Sequence, residues 1–389
     1  MHLLLISDYY KPIIKSGAII IEDLALEFIK QGHKVTVVTF TDLGIKTKTC
    51  SDQDSVNVIR IPSPLRKFGK VGRLIAECLY STQINWALRK EIKHLDFDGI
   101  ICYSPSIFYG SAIKKLKERL NVKVYLIIRD IFPKWVVDAG LIKEGLLFYF
   151  FKKIESRLYL YSDYIGIESK QDLDYFYKNA DQRKIKVLSN WASEEIEFSK
   201  DKPQYLSEDK VKILYGGNIG DAQDLYSLIK SIDQDSLEGG EILILGSGNQ
   251  TEDIKNLIQN EKISDIHYLG EVPRSKYLQF LNHCDIGLVS LNKELKSNNF
   301  PLKMMGYIQL GKPLIASVNK DNEIIDLIND YKIGQVSLSE DTKSFNVNLK
   351  KMIRDKKLRK SYGSNAIELF KNKFTVSIAA KEILENFIS

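Results

Sequence analysis

A glycine-rich segment near the middle of the chain has the residue types needed to hold an anion. The apolar run Ile213-Leu214-Tyr215 leads into Gly216-Gly217-Asn218-Ile219-Gly220, and apolar residues at helical spacing follow at Leu225, Leu228, Ile229 and Ile232. A strand that enters such a turn and then a helix brings free backbone N–H groups and the positive end of the helix dipole to one point, which suits a phosphate. The sequence therefore predicts phosphate contacts by Gly217, Asn218 and Gly220, with a purely structural tight turn as the alternative.

The segment is neither of the two common phosphate-binding motifs. No Gly-Lys-Ser/Thr closes it, and the glycine spacing of the dinucleotide fingerprint is absent. A separate cation, Lys303, follows Asn298-Asn299-Phe300-Pro301 and begins a predicted helix that includes Tyr307. A lysine beside a bound phosphate would supply the positive charge that a metal ion supplies at other phosphate sites, so we expect metal-independent chemistry. A solvated lysine is the alternative.

Polar residues also follow two predicted strands of the first half. Ser16 and Gly17 stand in the turn after the first strand, and Arg129 with Asp130 follows the apolar run that ends at Ile128. Ligands of parallel α/β sheets collect at the carboxyl ends of the strands, so we expect these residues to lie at a binding surface. The alternatives are a structural turn at Gly17 and a local Arg129–Asp130 ion pair.

The elements that must position these residues form two series of alternating strands and helices. In the first half the predicted strands are Leu3–Ile6, Val35–Val38, Gly99–Cys102, Val122–Ile128 and Tyr164–Ile167, with a helix at Ile19–Lys30. In the second half they are Ile213–Tyr215, Ile242–Leu245, Ile266–Leu269, Ile286–Val289 and Pro313–Ala316. Short apolar runs of this kind are typical of buried parallel strands. The sequence predicts an α/β protein with two doubly wound, Rossmann-like domains and a boundary between Trp191 and Leu206.

Composition narrows the classes of function. The chain has no apolar run long enough to span a bilayer and no recognisable leader at its start. Four widely spaced cysteines and five scattered histidines offer no metal template, so we expect reduced, mostly buried cysteines and no metal. Residues 1–194 carry 30 Lys and Arg against 22 Asp and Glu, a net charge of +8, whereas residues 195–389 carry 26 against 28.

The basic residues of the first half lie beside aromatic and aliphatic ones. They are Arg66, Lys67, Lys70 and Arg73 around Phe68, and Lys152, Lys153 and Arg157 after Leu146–Phe151. This pattern predicts contact with an anionic membrane surface, with buried aromatics and solvated lysines as the alternative. Nucleic acid is disfavoured as a partner because no recognised binding module is present.

A set of segments in a fixed order carries a resemblance to a known family. They are Ser7–Pro12 with Ser16–Ala18, Arg129–Trp135 with Asp138–Gly140, Leu188–Trp191, Tyr215–Gly220 with Gln223, Leu245–Gly248, Leu269–Gly270, and Pro301–Lys303 through Tyr307 to Gly311–Pro313. Over nearly its whole length the chain resembles glycosyltransferases of the GT-B fold, family 4. It is most similar to the bacterial group that builds O-antigen, capsule and colanic-acid chains, which includes L-fucosamine transferases.

The resemblance implies a reaction and a domain plan. A sugar would pass, with retention of configuration, from a nucleotide-sugar donor to a lipid-linked (polyisoprenyl diphosphate) oligosaccharide on the inner face of the cell membrane. The donor would be UDP-linked, with an N-acetylated deoxysugar such as N-acetylfucosamine. An acceptor-binding domain (1–194) would face a nucleotide-sugar-binding domain (207–370) across a cleft, and a C-terminal helix (371–389) would cross back. Donor contacts are expected at Ser16, Gly17, Gly217, Asn218, Gly220, Gly270, Pro301 and Lys303, and catalytic roles at Lys303, Arg129 and Asp130.

One departure from the family pattern concerns the ribose of the donor. In much of the family two glutamates, eight positions apart, precede the Gly-Lys-Pro turn, and the second contacts the ribose. Counting back from Gly311 gives Asn298 and Gly306, so other groups must recognise the nucleotide. Two further classes stay open: a nucleotide-sugar epimerase, disfavoured by the scarcity of histidine, and an inactive scaffold of a polysaccharide-assembly complex.

Overall fold

The computed structural model describes residues 1–13, 15–42, 48–51, 55–91, 96–138, 140, 142–195, 201, 203, 207–261, 263–295, 301 and 303–388, with backbone alone at 48–51, 70, 90 and 91. Contacts within the chain divide it into two compact units. The first comprises Met1–Trp191 with Val376–Ser389, and the second comprises Ala192–Thr375. Each is built on a sheet of mainly parallel strands.

Apolar strands form the sheet of the first unit. Within the described residues they are β1 (His2–Ile6), β2 (Lys34–Thr41), β3 (Lys48–Ser51), β4 (Asn57–Pro62), β5 (Gly99–Ser104), β6 (Lys123–Ile128), β7 (Tyr164–Ile167) and β8 (Ile185–Val187). Their order is β3-β4-β2-β1-β5-β6-β7-β8, and only β3 runs antiparallel to its neighbour. The strand order reverses between β1 and β5, so a crevice is expected at the carboxyl ends of these two strands.

Helices cover this sheet. They are α1 (Ser16–Lys30), α2 (Gly69–Glu91), α3 (Gly110–Leu120), α4 (Lys134–Asp138), α5 (Leu146–Tyr161) and α6 (Leu173–Asn179). Alternate strand residues such as Leu4, Ile6 and Ile100 pack in one core with buried residues of α2, α3 and α5. Because side chains alternate along a strand, these three helices lie on one face of the sheet.

The second unit has a fully parallel sheet over its described residues. Its strands are β9 (Val211–Gly216), β10 (Gly240–Leu245), β11 (Ile266–Gly270), β12 (Ile286–Ser290), β13 (Leu314–Val318) and β14 (Gly334–Leu338), in the order β11-β10-β9-β12-β13-β14. Its helices are α7 (Leu225–Lys230), α8 (Gln234–Leu237), α9 (Thr251–Asn260), α10 (Arg274–His283), α11 (Lys303–Gln309), α12 (Glu323–Tyr331), α13 (Thr342–Arg354) and α14 (Lys356–Leu369). The order reverses between β9 and β12, which places the expected ligand crevice beside the glycine-rich segment.

The last helix, α15 (Val376–Ile388), belongs to the first unit. It packs against α1 and β6, and Phe387 lies beside Gly99, where a Cβ would be 2.7 Å from the phenyl ring. Within the described ranges, no helix combines the length and the apolar character needed to cross a bilayer. Cys102 and Cys284 are buried, as expected, whereas Cys78 is exposed, and the side chain of Cys50 lies outside the described set.

The predicted pair of doubly wound α/β sheets is confirmed, since a strand lies at each predicted apolar run. Four strands were not predicted: β3, β4, β8 and β14. The prediction that the glycine turn opens directly into a helix was wrong. Residues 221–224 form a further turn, Asp224 adopts a left-handed conformation (φ 44°), and α7 spans only Leu225–Lys230, ending before Ile232.

The prediction that Lys152 lies on a membrane-facing surface was also wrong. Its ammonium is bonded to Glu155, which is fully buried, and donates to the Tyr175 hydroxyl at 2.7 Å and the Asn179 side-chain oxygen at 2.9 Å. The hydroxyls of Tyr159 and Tyr175 donate to the other Glu155 oxygen at 2.8 and 2.7 Å. Lys152 therefore neutralises a buried carboxylate and ties α5 to α6.

Replacing Lys152 by methionine should lower the free energy of unfolding by about 3 kcal/mol, because it leaves the Glu155 carboxylate buried without its cation. Lys153, the next residue, is exposed, and its change to methionine should alter stability by less than about 0.5 kcal/mol. Urea unfolding of the two variants measures the difference. Equal midpoints and slopes would contradict the structural role of Lys152.

Candidate functional site

The loops that follow β9 and β10 pack backbone against backbone. The N–H of Gly217 donates to the Leu245 carbonyl at 2.9 Å, and that of Ile219 donates to the Ser247 carbonyl at 2.9 Å. Gly217 and Gly246 have φ angles of 134° and 137°, which side chains other than glycine rarely allow. A Cβ on Gly246 would overlap the carbonyl of Gly217, so this contact requires glycine.

Some backbone N–H groups of this loop donate to carbonyls of the chain, and others do not. The N–H of Gly217 is occupied by Leu245, so the expectation that it serves an anion was wrong. The N–H groups of Asn218 and Gly220 meet no acceptor in the part of the chain that the structure describes. These two are the amides with which the loop can bind an anion.

Polar side chains hold the loop in place. Asn218 donates to the Gln223 side-chain oxygen at 2.8 Å, and Asn249 donates to the Asp221 carboxylate at 2.6 Å. Asn292, just after β12, donates to the carbonyl of Asp221 at 2.8 Å. The carboxyl ends of β9, β10 and β12 are thereby joined in one polar network that does not consume the Asn218 and Gly220 amides.

Lys303 is positioned by the packing of α11 on the sheet. Tyr307, one turn further along the helix, is fully buried and donates to the Leu214 carbonyl of β9 at 2.7 Å. Its ring covers Gly287 of β12 so closely that a Cβ there would overlap it. The structure thus confirms that Lys303 begins a helix containing Tyr307, and that this helix lies across β9 and β12.

The ammonium of Lys303 lies 3.7 Å from the centroid of the Tyr215 ring. The Tyr215 hydroxyl donates to the Asn218 carbonyl at 2.6 Å, so one aromatic side chain links the cation to the glycine-rich loop. A Cβ on Gly217 would lie 3.9 Å from Lys303 Nζ, which brings the cation to the same loop. Sequence reasoning missed Tyr215, although an aromatic residue directly before two glycines was the available signal.

Lys303 Nζ is buried and has no hydrogen-bond partner among the described residues. Burial lowers its pKa to about 7, because desolvation penalises the ammonium and no nearby carboxylate compensates. The alternative of a solvated lysine was wrong. A buried donor without an acceptor, beside two free amides, is complementary to an anion.

Two other residues expected to contact the donor, Gly270 and Pro301, use their carbonyls in local backbone hydrogen bonds. Gly270 (φ 80°) accepts the Gly246 N–H at 2.9 Å, and the Pro301 carbonyl accepts the Met304 N–H at 2.8 Å. Asn298 lies outside the described residues. Gly306 has no side chain that could contact a ribose, and a Cβ there would lie 2.9 Å from the end of the buried Leu281 side chain.

The first unit places its predicted residues at the carboxyl ends of its strands. Ser16 and Gly17 are the first two residues of α1 and not part of a turn, and a Cβ on Gly17 would lie 3.0 Å from the Tyr103 ring. Arg129 donates to the carbonyls of Leu188 and Ser189 at 2.8 and 3.2 Å. Its guanidinium also stacks on Trp191, 4.9 Å from the ring centroid.

Asp130 makes no ion pair with Arg129 in the structure, so the local ion-pair alternative was wrong. Its side chain is exposed and bonds to no described residue, and partial desolvation raises its pKa. Arg129 is held by backbone carbonyls, whereas Asp130 is available to a ligand. Substrate contact by either residue stays a prediction.

A charged cluster lies at the end of β1, and it includes Arg66 and Arg73, which the sequence analysis had considered only for contact with a membrane. Three cations surround the Tyr9 ring, with Lys15 Nζ at 4.0 Å and the Arg66 and Arg73 guanidinium carbons at 4.5 and 5.7 Å from its centroid. Asp8 beneath them is buried and hydrogen-bonded to the Tyr109 hydroxyl, and desolvation raises its pKa. The signal available in the sequence was Asp8-Tyr9 directly after an apolar strand.

Among the described residues, no group of three His, Cys, Asp or Glu side chains is arranged to hold a metal ion.

Replacing Lys303 by methionine should raise stability by about 2 kcal/mol, because it removes a buried ammonium that has no hydrogen-bond acceptor among the described residues. The pKa of the lysine is about 7 in the folded protein against 10.5 ordinarily, so between these values the unfolded chain binds a proton that the folded chain does not. Stability of the parent protein therefore rises with pH across this window. The advantage of the methionine variant should be largest below pH 7 and shrink toward pH 10.

Thermal unfolding at pH 6 and pH 9 measures this dependence. The matched control is Lys343→Met at an exposed position of α13, which should show no such pH dependence. A methionine variant at 303 that is less stable than the parent at pH 6 would show that the contact with the Tyr215 ring outweighs the cost of burying the ammonium.

Comparison with known proteins gives the following matches. Residues 197–369 match the family model described as Glycosyl transferases group 1. The probable glycosyltransferase WbjE of Pseudomonas aeruginosa is 26% identical over 224 residues, covering 55% of this chain and 56% of WbjE. Sucrose-phosphate synthase of Thermosynechococcus elongatus superimposes with a TM-score of 0.74 at 14% identity, over 99% of this chain and 98% of that one. Anabaena HepE in complex with UDP and glucose superimposes with a TM-score of 0.67 at 14% identity, over 99% of both chains.

These matches bear on different parts of the molecule. The structural likenesses extend over both units and confirm the predicted GT-B fold class. The match to WbjE spans about half of that protein's length. The family model covers β9 to α14 and thus every described element that positions Lys303. Residues 197–369 therefore match the Glycosyl transferases group 1 family model, and the chain that contains them has the GT-B fold.

Proposed function

We propose that this protein is a retaining, family 4 glycosyltransferase that uses a nucleotide-sugar donor. The observation that carries the proposal is Lys303, a buried and unpartnered cation beside the Asn218 and Gly220 amides at the point where the strand order reverses. A nucleoside diphosphate supplies the anion that this arrangement lacks.

The proposed mechanism rests on the charge that develops on the leaving diphosphate. As the glycosidic bond breaks, negative charge grows on the phosphate oxygen, and donors fixed in a desolvated site stabilise it most. The amides of Asn218 and Gly220 hold the diphosphate, and the Lys303 ammonium neutralises it. Binding of the anion raises the pKa of Lys303 back above its unliganded value, so the lysine is charged when it is needed.

We base the proposed nucleotide and sugar of the donor on similarity to other proteins. Anabaena HepE, whose fold this chain shares, was solved with UDP and glucose, which supports UDP as the nucleotide. The resemblance to O-antigen and capsule enzymes supports an N-acetylated deoxysugar such as N-acetylfucosamine, and retention of configuration. Because position 306 is glycine, we propose that the ribose is bound by groups other than the usual glutamate.

We assign acceptor binding to the first unit. Asp130 and the cations around Tyr9 lie at the carboxyl ends of its strands, where a phosphorylated acceptor would find both a hydrogen-bond acceptor and positive charge. The proposed acceptor is a polyisoprenyl diphosphate oligosaccharide of a surface polysaccharide such as O-antigen or capsule. Since that lipid stays in the bilayer, we propose that the protein works in the cytoplasm on the inner face of the cell membrane. Nucleic acid is not among the proposed partners.

Changing Lys303 to methionine should lower turnover at least about a hundredfold, the usual cost of losing one charged partner of the transition state. Arginine should restore part of the activity, because it keeps the charge but changes the shape of the donor group. In the parent enzyme kcat/KM for the donor should fall as the pH rises through 7, where free Lys303 loses its proton. The arginine variant should lack this fall.

Release of nucleoside diphosphate, with and without acceptor, is the measurement. Near-normal turnover of the methionine variant would refute the role of Lys303. Diphosphate release that never depends on an acceptor would favour hydrolysis or epimerisation, and no release from any donor tested would favour the scaffold.

A chelator should leave activity intact, because we propose that Lys303 takes the place of a metal at the diphosphate. Turnover is measured after dialysis against EDTA and again after addition of Mg²⁺ or Mn²⁺. Loss of activity that either metal restores would overturn the metal-independent mechanism while leaving the glycosyltransferase assignment in place.

A further inference from the structure

The outward face of α2 is apolar along most of its length. Phe68, just before the helix, is 71% exposed, Val71 is 71% exposed and Trp86 is 68% exposed. Exposed residues between them follow at helical spacing: Leu74, Ile75, Cys78, Leu79 and Thr82. We call this set, from Phe68 to Trp86, the α2 stripe; it has no charged side chain among its members.

The opposite face of the same helix is apolar as well. Ala76, Tyr80, Ile84 and Leu88 are buried in the core formed with the sheet. A surface helix ordinarily has a charged outer face, and large contiguous apolar patches on a protein surface mark interaction sites. The α2 stripe is therefore not needed for packing within the unit and is available to something outside it.

A second apolar segment lies on the same side of the sheet. The first turns of α5 expose Leu146 (93%), Leu147, Tyr149 and Phe150. Both α2 and α5 pack against α3, and all three helices contribute to the core on one face of the sheet. The exposed apolar residues of α2 and α5 thus belong to one layer of helices.

The charges on this layer are mostly positive. Exposed basic residues on or beside its helices are Lys67, Arg89, Lys114, Lys115, Arg119, Lys153 and Arg157. The exposed acidic residues on or beside the described parts of these helices are Glu118, which lies 3.8 Å from Lys114, and Glu144, just before α5. Basic groups around apolar side chains match the negative headgroups and the acyl boundary of an anionic bilayer. Two copies of this face would repel each other.

We propose that the α2 stripe, with the first turns of α5, inserts into the interface of an anionic lipid bilayer. Attachment is then driven by burial of apolar side chains and assisted by the surrounding lysines and arginines. This deepens the membrane part of the proposed function by naming the surface. It does not depend on sugar transfer, because lipid binding is measured without donor or acceptor.

The proposal differs from attachment by charge alone in its response to salt. Screening weakens the attraction of surface lysines for headgroups, since the Debye length falls to about 3 Å at 1 M salt. Apolar insertion is not screened. Raised salt should therefore weaken vesicle binding only in part, and removal of the stripe should weaken it at any ionic strength.

The fluorescence of Trp86 reports insertion into the bilayer directly, because this residue belongs to the α2 stripe. Trp191 is 1% exposed and its surroundings should not change, so a Trp135→Phe background leaves Trp86 as the responsive fluorophore. With vesicles of phosphatidylglycerol and phosphatidylcholine, the emission of Trp86 should shift to shorter wavelength. With pure phosphatidylcholine the shift should require far more lipid. No shift at saturating anionic lipid would overturn the proposal.

The variant that removes the stripe is Val71→Ser, Ile75→Ser and Leu79→Ser together, at exposed positions four residues apart. Sedimentation with anionic vesicles should show at least a tenfold weaker partition, because three apolar side chains no longer enter the interface. The matched control is Val347→Ser, at a 67% exposed position of α13 in the second unit, which should bind as the parent does.

Enzyme activity and oligomeric state are also compared between the triple variant and the parent. Transfer to a short water-soluble acceptor should be equal in the triple variant and the parent, so a failure of lipid binding is distinguished from a failure of the enzyme assignment. Equal vesicle binding by parent and triple variant would overturn the proposal. A parent dimer at low salt that the triple variant abolishes would assign the face to self-association and also overturn it.

Discussion

The contact between the glycine-rich loops after β9 and β10 admits no side chain, and the geometry of the site follows from it. Because the two backbones touch, the Gly217 and Ile219 amides bond across the contact, and the Asn218 and Gly220 amides are left over. The same loop position lets the Tyr215 hydroxyl reach the Asn218 carbonyl and brings its ring under Lys303. A Cβ at Gly246 would push the two loops apart. It would thereby disturb both the hydrogen bonds between the loops and the contact of Tyr215 with Lys303.

The buried strands of both sheets could be predicted from the sequence because a parallel strand covered on both faces is a short, continuous apolar run. The strands that escaped prediction lack that signal. In β8 the residues Lys186 and Val187 are exposed, and β14 alternates polar and apolar residues. The start of α7 was misjudged because Asp224, directly before the helix, takes a left-handed conformation that hydrophobic periodicity does not record.

The candidate site could be predicted in part. The glycine-rich loop and Lys303 were identified, because phosphate chemistry needs backbone amides and a cation near a strand end. The burial of Lys303 could not be predicted, since it depends on Tyr307 reaching the Leu214 carbonyl, 93 residues away in the chain. The same limit applies to Lys152, whose partner Glu155 is buried only by the packing of α5 against its neighbours. Local sequence predicts which residues can act, and tertiary packing decides which of them face solvent.

The depressed pKa of Lys303 couples anion binding to protons. Near pH 7 the unliganded protein contains both charged and neutral Lys303, whereas the proposed diphosphate would hold the ammonium form. Binding would then draw part of a proton from the buffer. The heat of binding would consequently vary with the ionisation enthalpy of the buffer, and the site would hold its ligand less tightly in an alkaline compartment. A buried amine over one tyrosine ring thus makes the occupancy of the site depend on the acidity of its surroundings.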